Sequence, residues 1–238
     1  MSALTLLISC EHGGNAIPPV LAPLFRDWRD LLASHRGFDL GALDTAMVLA
    51  QATGAPLFPA TVSRLVVDLN RSIGHPHLFS EITKPLPRAK RREILDAYYF
   101  PHREAVTRAV AERIAAGDRV LHLASHSFTP SLGGVVRRCD VGLLYDPGRP
   151  TEKAFCLDFL HELAGLDRTL LLRRNAPYRG VADGLVTALR KRFGERYLGV
   201  ELEVNQRFAR AGETQPARLN SLLVAALTRA LGRLSPPV

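Results

Sequence analysis

A few polar side chains of this 238-residue chain stand where they could do chemistry. His12 follows an apolar run, Leu4–Cys10, and precedes Gly13 and Gly14, which let a ligand or metal approach the backbone closely. His126 stands similarly after "VLHLAS". One such histidine is more often a hydrogen-bonded structural group. Two of them at two strand ends shift the balance toward a metal, since imidazole together with carboxylate suits zinc. In "GVELEVN" a period of two puts Glu201 and Glu203 on one face, with Val200, Leu202 and Val204 opposite. Two carboxylates on a mostly apolar strand are costly to bury. They meet cations, or one is a general base toward a metal-activated water, or the strand is an edge with its polar face in water.

Arginines frame a third segment, "SRLVVDLNRS", Ser63–Ser72. Its centre reads as a buried strand. A planar guanidinium matches a carboxylate in a bidentate pair, so Arg64 and Arg71 suggest an anionic ligand. In an extended strand Arg64, Asp68 and Asn70 share a face and Arg71 lies opposite. A turn in "NRSIG" is then needed to bring both arginines to one ligand, and Asp68 is placed to orient Arg64. Serine catalysis has weaker support, because "SHS" and "VSR" lack a G-x-S-x-G elbow. "HGGN" and "SLGG" match neither a P-loop nor a dinucleotide fingerprint.

The elements that must position these groups alternate. Apolar runs at Leu4–Cys10, around Val120–Ser125, at "DVGLLYD", at "RTLLLRR" and at "YLGVELEVN" read as strands, and amphipathic stretches lie between them. "DLGALDTAMVLAQATGA", "PTEKAFCLDFLHELAGLD", "ADGLVTALRKRFGER" and the final "QPARLNSLLVAALTRALGRL" read as helices. Pro101 should kink or restart the long helical stretch around it. This alternation predicts an α/β fold, three-layered, with a mostly parallel mixed sheet and helices on both faces. In such sheets ligands bind beyond the carboxyl ends of the strands, where the polar clusters fall. No repeat or linker divides the chain, so residues 1–238 are expected to form one domain.

Composition narrows the class. With 47% hydrophobic and 23% charged residues, the chain is globular rather than disordered. Three widely spaced cysteines, Cys10, Cys139 and Cys156, form no disulfide framework or cysteine zinc site. They fit a reducing compartment, and a cytoplasmic location is expected. No apolar run approaches the ~20 residues of a membrane helix. The net charge of +8 raises a nucleic-acid partner, but the basic residues are scattered and the densest run, "PRAKRRE", reads as a solvated helix face. A small acidic substrate suits the excess, and no nucleic-acid or membrane partner is expected. The sequence leaves the oligomeric state open.

The ordered set "SCEHGGNAIP", "FDLGA", "SRLVVDLNR", "HLASHSFTP", "VGLLYD", "NAPYRG" and "GVELEVNQ" resembles the N-formylglutamate amidohydrolase (N-formylglutamate deformylase) family, from Ile8 to about Phe208. The resemblance implies a zinc-dependent hydrolase on a phosphorylase/hydrolase-like sheet related to zinc carboxypeptidases and aspartoacylase-type deacylases. It implies conversion of N-formyl-L-glutamate and water to formate and L-glutamate, a step of histidine degradation. Carried over by residue, His12 and His126 are metal ligands, and Asn70 and Arg71 hold a substrate carboxylate. Arg64 polarises the scissile carbonyl, and Glu203 is the general base, with Glu201 as its competitor. The wider superfamily's His-x-x-Glu is broken here by Asn15. Asp39 in "FDLGA" is the first choice for the missing ligand, Glu11 the second and Asn15 the third. Arg137 or Arg138, or Tyr178 in "NAPYRG", is expected at the substrate's distal end. Competing readings are a deacylase of another N-acyl amino acid or a small metallopeptidase, a serine hydrolase, and a basic nucleic-acid-binding protein.

Overall fold

The computed structural model describes residues 3–210 and 214–234. Its strands are β1 (Leu4–Cys10), β2 (Leu57–Pro59), β3 (Arg119–Phe128), β4 (Ser131–Leu132), β5 (Val135–Val136), β6 (Val141–Leu144), β7 (Leu172–Arg174) and β8 (Tyr197–Asn205). Its α-helices are α1 (Arg29–Ala33), α2 (Ala42–Thr53), α3 (Arg88–Ile94), α4 (Phe100–Ala115), α5 (Pro150–Leu166), α6 (Leu185–Phe193), α7 (Arg207–Arg210) and α8 (Thr214–Leu234). Six strands form one sheet in the order β2-β1-β3-β8-β6-β7. The first four run parallel, whereas β6 pairs with β8 antiparallel and carries β7 parallel to itself. The expected mostly parallel mixed sheet is what forms.

Strand alternation divides the core between the two faces. Ile8, Leu121, Leu123, Val200 and Leu202 pack with Ala46 and Leu49 of α2, Phe155 and Phe159 of α5 and Leu223 and Ala226 of α8. Leu7, Val120 and Tyr197 pack oppositely, with Val106 and Val110 of α4 and Leu185 and Leu189 of α6. Glu11, His126, Glu201 and Glu203 have the parity of this second set, so they emerge toward the α4 and α6 side at the carboxyl ends of β1, β3 and β8. β8 lies between β3 and β6, which removes the edge-strand explanation of its two glutamates.

Leu65–Leu69 departs from expectation. The segment is not a strand: residues 64–66 and 69–70 form turns. It is nonetheless buried, in a separate cluster with Phe25, Leu78, Ile94 and Tyr99. A short apolar run buried on all sides has the same composition as a core strand, and only its neighbours distinguish the two. At Pro101, α4 begins immediately after a π-helical turn, Leu95–Tyr99, so the chain restarts its helix there as expected. "PRAKRRE" opens α3, where Lys90 pairs with Glu93 and Arg92 with Asp96, a solvated face. Among the described residues no helix is long and apolar enough to cross a membrane.

Candidate metal centre and cleft

Three sheet strands and two loops converge on one point. β1 delivers His12 in the turn after Cys10, and β3 delivers His126 within its last residues. The loop before α2 brings Asp39, whose backbone N–H donates to the carbonyl of His12 at 2.9 Å. Asp39 Oδ2 lies 2.9 Å from His126 Nδ1 and 3.3 Å from His12 Nδ1. The two rings stand 5.1 Å apart, centroid to centroid. Among the described residues His12, Asp39 and His126 are the set whose donor atoms could hold one metal ion, all within 4.8 Å of one another.

Two imidazole nitrogens and one carboxylate oxygen match a three-ligand zinc centre in donor type. Behind each imidazole stands a second carboxylate, as ligand histidines usually require. Asp68 Oδ1 is 2.8 Å from His12 Nε2, and Glu11 Oε2 is 3.1 Å from His126 Nε2. Asp68 is also the partner of Arg64 that the sequence suggests: Arg64 Nη2 donates to Asp68 Oδ2 at 2.7 Å. The same guanidinium reaches Asp39 Oδ1 at 3.3 Å through Nη1. Arg64 thus ties a candidate ligand to the carboxylate behind its neighbour.

The electrostatics follow from this packing. Burial works to raise the carboxyls of Asp39 and Asp68, but cationic neighbours overcome it. His12, His126 and Arg64 hold Asp39 below the usual range, and Arg64, His12 and Arg71 hold Asp68 there. Burial likewise disfavours the charged form of His126, yet Asp39 and Glu11 keep its basicity well above that of a free imidazole. Glu203 differs. Burial, with Asp39 and Glu201 nearby, pushes it up to about 8, against the opposing pull of His126 and Arg64. Its Oε2 is buried without a hydrogen-bond partner, the state expected of a group kept for a ligand. Gly142 on β6 faces Glu203 in register. A Cβ there would meet the Ala176 carbonyl oxygen at 2.0 Å, so the loop after β7 packs against this strand only because the residue is glycine.

These groups line a cleft of ≈ 630 Å³, within the usual size of small-molecule sites. His12, Asp39, Arg64, Asp68, Asn70, Arg71, His126, Tyr178, Glu201 and Glu203 all lie on its walls. Glu11, Asn15 and Arg137 do not. The Asn15 amide donates to the Leu32 carbonyl at 3.1 Å. Arg137 stacks between Phe128 and Tyr178, its carbon Cζ 5.8 and 5.1 Å from the ring centroids, and donates to the Tyr178 hydroxyl at 3.1 Å. Arg138 lies exposed beside it.

The Asn70–Arg71 turn is held from below. Tyr99 donates to the Arg71 carbonyl at 2.7 Å and Arg103 to that of Leu69 at 2.9 Å. Arg71 Nη1 donates to the Asp183 carbonyl at 2.8 Å, while its buried Nε has no partner. Asn70 Oδ1 accepts from the Leu185 N–H at 2.7 Å and caps α6. Gly184 permits this approach, since a Cβ there would lie 2.7 Å from the same oxygen. His102, Asp183 and Asp68's contact with His12 are not legible in the sequence. They lie on loops and a helix remote in sequence, and no local pattern marks them.

A buried serine–histidine contact also exists. His122 lies 2.7 Å from both the Ser9 hydroxyl and the Tyr197 hydroxyl. All three residues are sealed inside the core, and burial lowers His122 to about 4. No substrate reaches that serine, so this pair gives the serine-hydrolase reading no support.

The model of the N-formylglutamate amidohydrolase family matches residues 4–209, and the chain belongs to that family. Among solved structures it is similar to gene product Atu2144 from Agrobacterium tumefaciens, with 30% identity over 96% of this chain and 91% of the other and a TM-score of 0.81. It also shares its fold with N-formylglutamate amidohydrolase from Ralstonia eutropha JMP134, at 20% identity, 98% and 95% coverage and a TM-score of 0.70. No curated protein is significantly similar to it.

Proposed function

We propose that this family member is a zinc-dependent amidohydrolase that cleaves the N-acyl amide of an acidic amino acid, with N-formyl-L-glutamate and water giving formate and L-glutamate. The observation that carries this reading is the convergence of His12, Asp39 and His126 beside an unpartnered, buried Glu203 in one cleft. His12 Nδ1, His126 Nδ1 and the Asp39 carboxylate would hold the ion. When bound, it supplies Lewis acidity, polarising a carbonyl and making water a stronger acid.

Glu203 takes a proton from the attacking water and returns it to the amide nitrogen as the C–N bond breaks. A bound cation would add to the pull of His126 and Arg64 toward the ionised carboxylate that a base requires. Glu201, the rival base, already accepts a hydrogen bond from Asn70 at 3.1 Å, which favours Glu203 for the role. Arg64 contributes fixed positive charge where the carbonyl oxygen becomes negative. Arg71, on the cleft wall, takes the substrate carboxylate with its guanidinium and so fixes orientation. Asn70 holds Glu201 and the α6 end in register with Arg71. Tyr178 meets the distal end of the substrate, with Arg137 stacked behind it as a support.

The test is a panel of N-formyl and N-acetyl amino acids, with formate or acetate and free amine measured on zinc-loaded and chelated protein. Fastest turnover is expected for N-formyl acidic amino acids, with loss on chelation and recovery on adding zinc. Preference for another acyl group would move the assignment to a different deacylase. Cleavage that survives chelation would remove the metal mechanism.

A further inference from the structure

Glu11 precedes His12 and is buried, yet its carboxyl lies behind His126 rather than in the cleft. Its Oε2 approaches His126 Nε2 at 3.1 Å and its Oε1 approaches His102 Nε2, on α4, at 3.5 Å. Neither oxygen has an aligned hydrogen bond, and His102 Nε2 has none either. The contacts are therefore close and electrostatic rather than geometrically perfect.

The chemistry of His126 decides what Glu11 does. Nδ1 of its ring faces Asp39 at 2.9 Å. If Nδ1 gives its lone pair to a cation, Nε2 must carry the hydrogen and needs an acceptor. Two groups reach Nε2: Glu11, and the Asn70 amide nitrogen at 3.5 Å. The amide cannot turn round, because its oxygen is fixed by the Leu185 N–H and its nitrogen by Glu201. A donor cannot serve a donor, so Glu11 is the group able to accept. His12 is matched in the same way by Asp68. Asp68 is balanced by Arg64, and Glu11 has His102 in the corresponding place.

We infer that Glu11 is a positioning residue that orients the His126 imidazole and fixes its tautomer, with His102 as its second partner. This raises the affinity of the cluster for a divalent cation. The inference rests on the metal reading given above.

The test is zinc affinity, measured by competition with a chromogenic chelator, for the wild type, Glu11→Gln and Glu11→Asp. Glu11→Gln is expected to bind zinc about 10- to 100-fold more weakly and to shift the visible spectrum of the cobalt-loaded protein. Glu11→Asp, which keeps the charge, should recover part of the affinity. Wild-type zinc affinity in Glu11→Gln overturns the inference while leaving the metal centre standing. A wild type that binds neither zinc nor cobalt overturns both, so the two failures are distinct. If Glu11→Gln does not fold, His102→Leu takes its place: a several-fold loss of affinity is expected, and no change overturns the assignment.

Discussion

Asn70 donates its side-chain N–H to Glu201 Oε1 at 3.1 Å while its carbonyl oxygen caps α6 at Leu185. Both ends of the amide are therefore committed within the protein. Asn70→Ala should cost about 1–3 kcal/mol of stability, because it leaves a helix N–H and a partly buried carboxylate without their partner. Urea unfolding monitored by circular dichroism measures this. A residue that only gripped substrate would change KM and leave the midpoint unmoved.

Arg71 and Glu203 should fail differently. Arg71→Ala is expected to raise KM about 10- to 100-fold, the worth of hydrogen bonds to a charged group. Glu203→Gln is expected to lower kcat about 10²- to 10⁴-fold with a smaller change in KM. Steady-state kinetics on the preferred N-acyl amino acid separates the two. Intact turnover in Glu203→Gln would transfer the base role to Glu201.

The same Glu203→Gln substitution has a predicted effect on stability. An unfolded glutamate ionises near ~4.3, whereas the folded Glu203 holds its proton to about 8. Its contribution is present below the lower value and declines as pH rises through the higher one. Glutamine does not titrate. In chelated protein the variant's stability relative to wild type should therefore increase between pH 5 and pH 8, read from denaturation midpoints. A difference independent of pH would mean that the carboxyl is already ionised in the fold.

Metal uptake should release protons. His126 is held protonated well above the free imidazole value by Asp39 and Glu11, and it must be neutral to coordinate. Affinity for zinc should fall as pH falls. Calorimetry in two buffers of different ionisation enthalpy should report net proton release. Asp39, Asp68 and Glu11 are depressed, so their stabilising contribution is present above the unfolded carboxyl values near ~4 and is lost as pH falls below them. The His126 contribution has the opposite sign, complete below ~6.5 and lost as pH rises through its folded value. Metal-free protein should thus be least stable in strong acid.

Away from the cleft, Arg190 and Glu152 form a buried ion pair at 3.0 Å, and the same arginine donates to the carbonyls of Gly180 and Gly199. It fastens the Tyr178 loop to β8. Arg190→Ala leaves Glu152 to Arg149 and to the N–H groups of Asp146 and Gly199, but it strips the Gly180 and Gly199 carbonyls of their donor, and is expected to cost about 1–3 kcal/mol, measured by equilibrium unfolding.

Much of this site could be read from the chain because the strand ends carry it. An apolar run closing on His12, another on His126, and the alternation of Glu201 with Leu202 are local patterns, and the sheet converts them directly into position. Asp39 is marked by family resemblance rather than by pattern. Leu65–Leu69 reads as a strand and is not one, because burial by Phe25, Leu78 and Tyr99 looks the same in composition as burial in a sheet. The antiparallel β6 could not be foreseen either, since pairing direction depends on a crossover and leaves no mark in "VGLL". The carboxylates behind the two histidines were hidden for a related reason. Asp68 reaches His12 across 56 positions and His102 approaches Glu11 from α4, contacts made by tertiary packing alone.

The central claim is that His12, Asp39 and His126 share one divalent ion. Diffraction from zinc-soaked crystals on either side of the zinc absorption edge tests it most directly. A single anomalous peak bounded by the Nδ1 atoms of both imidazoles and the Asp39 carboxylate is the predicted result. Anomalous density elsewhere, or none at that point with zinc in excess, contradicts it.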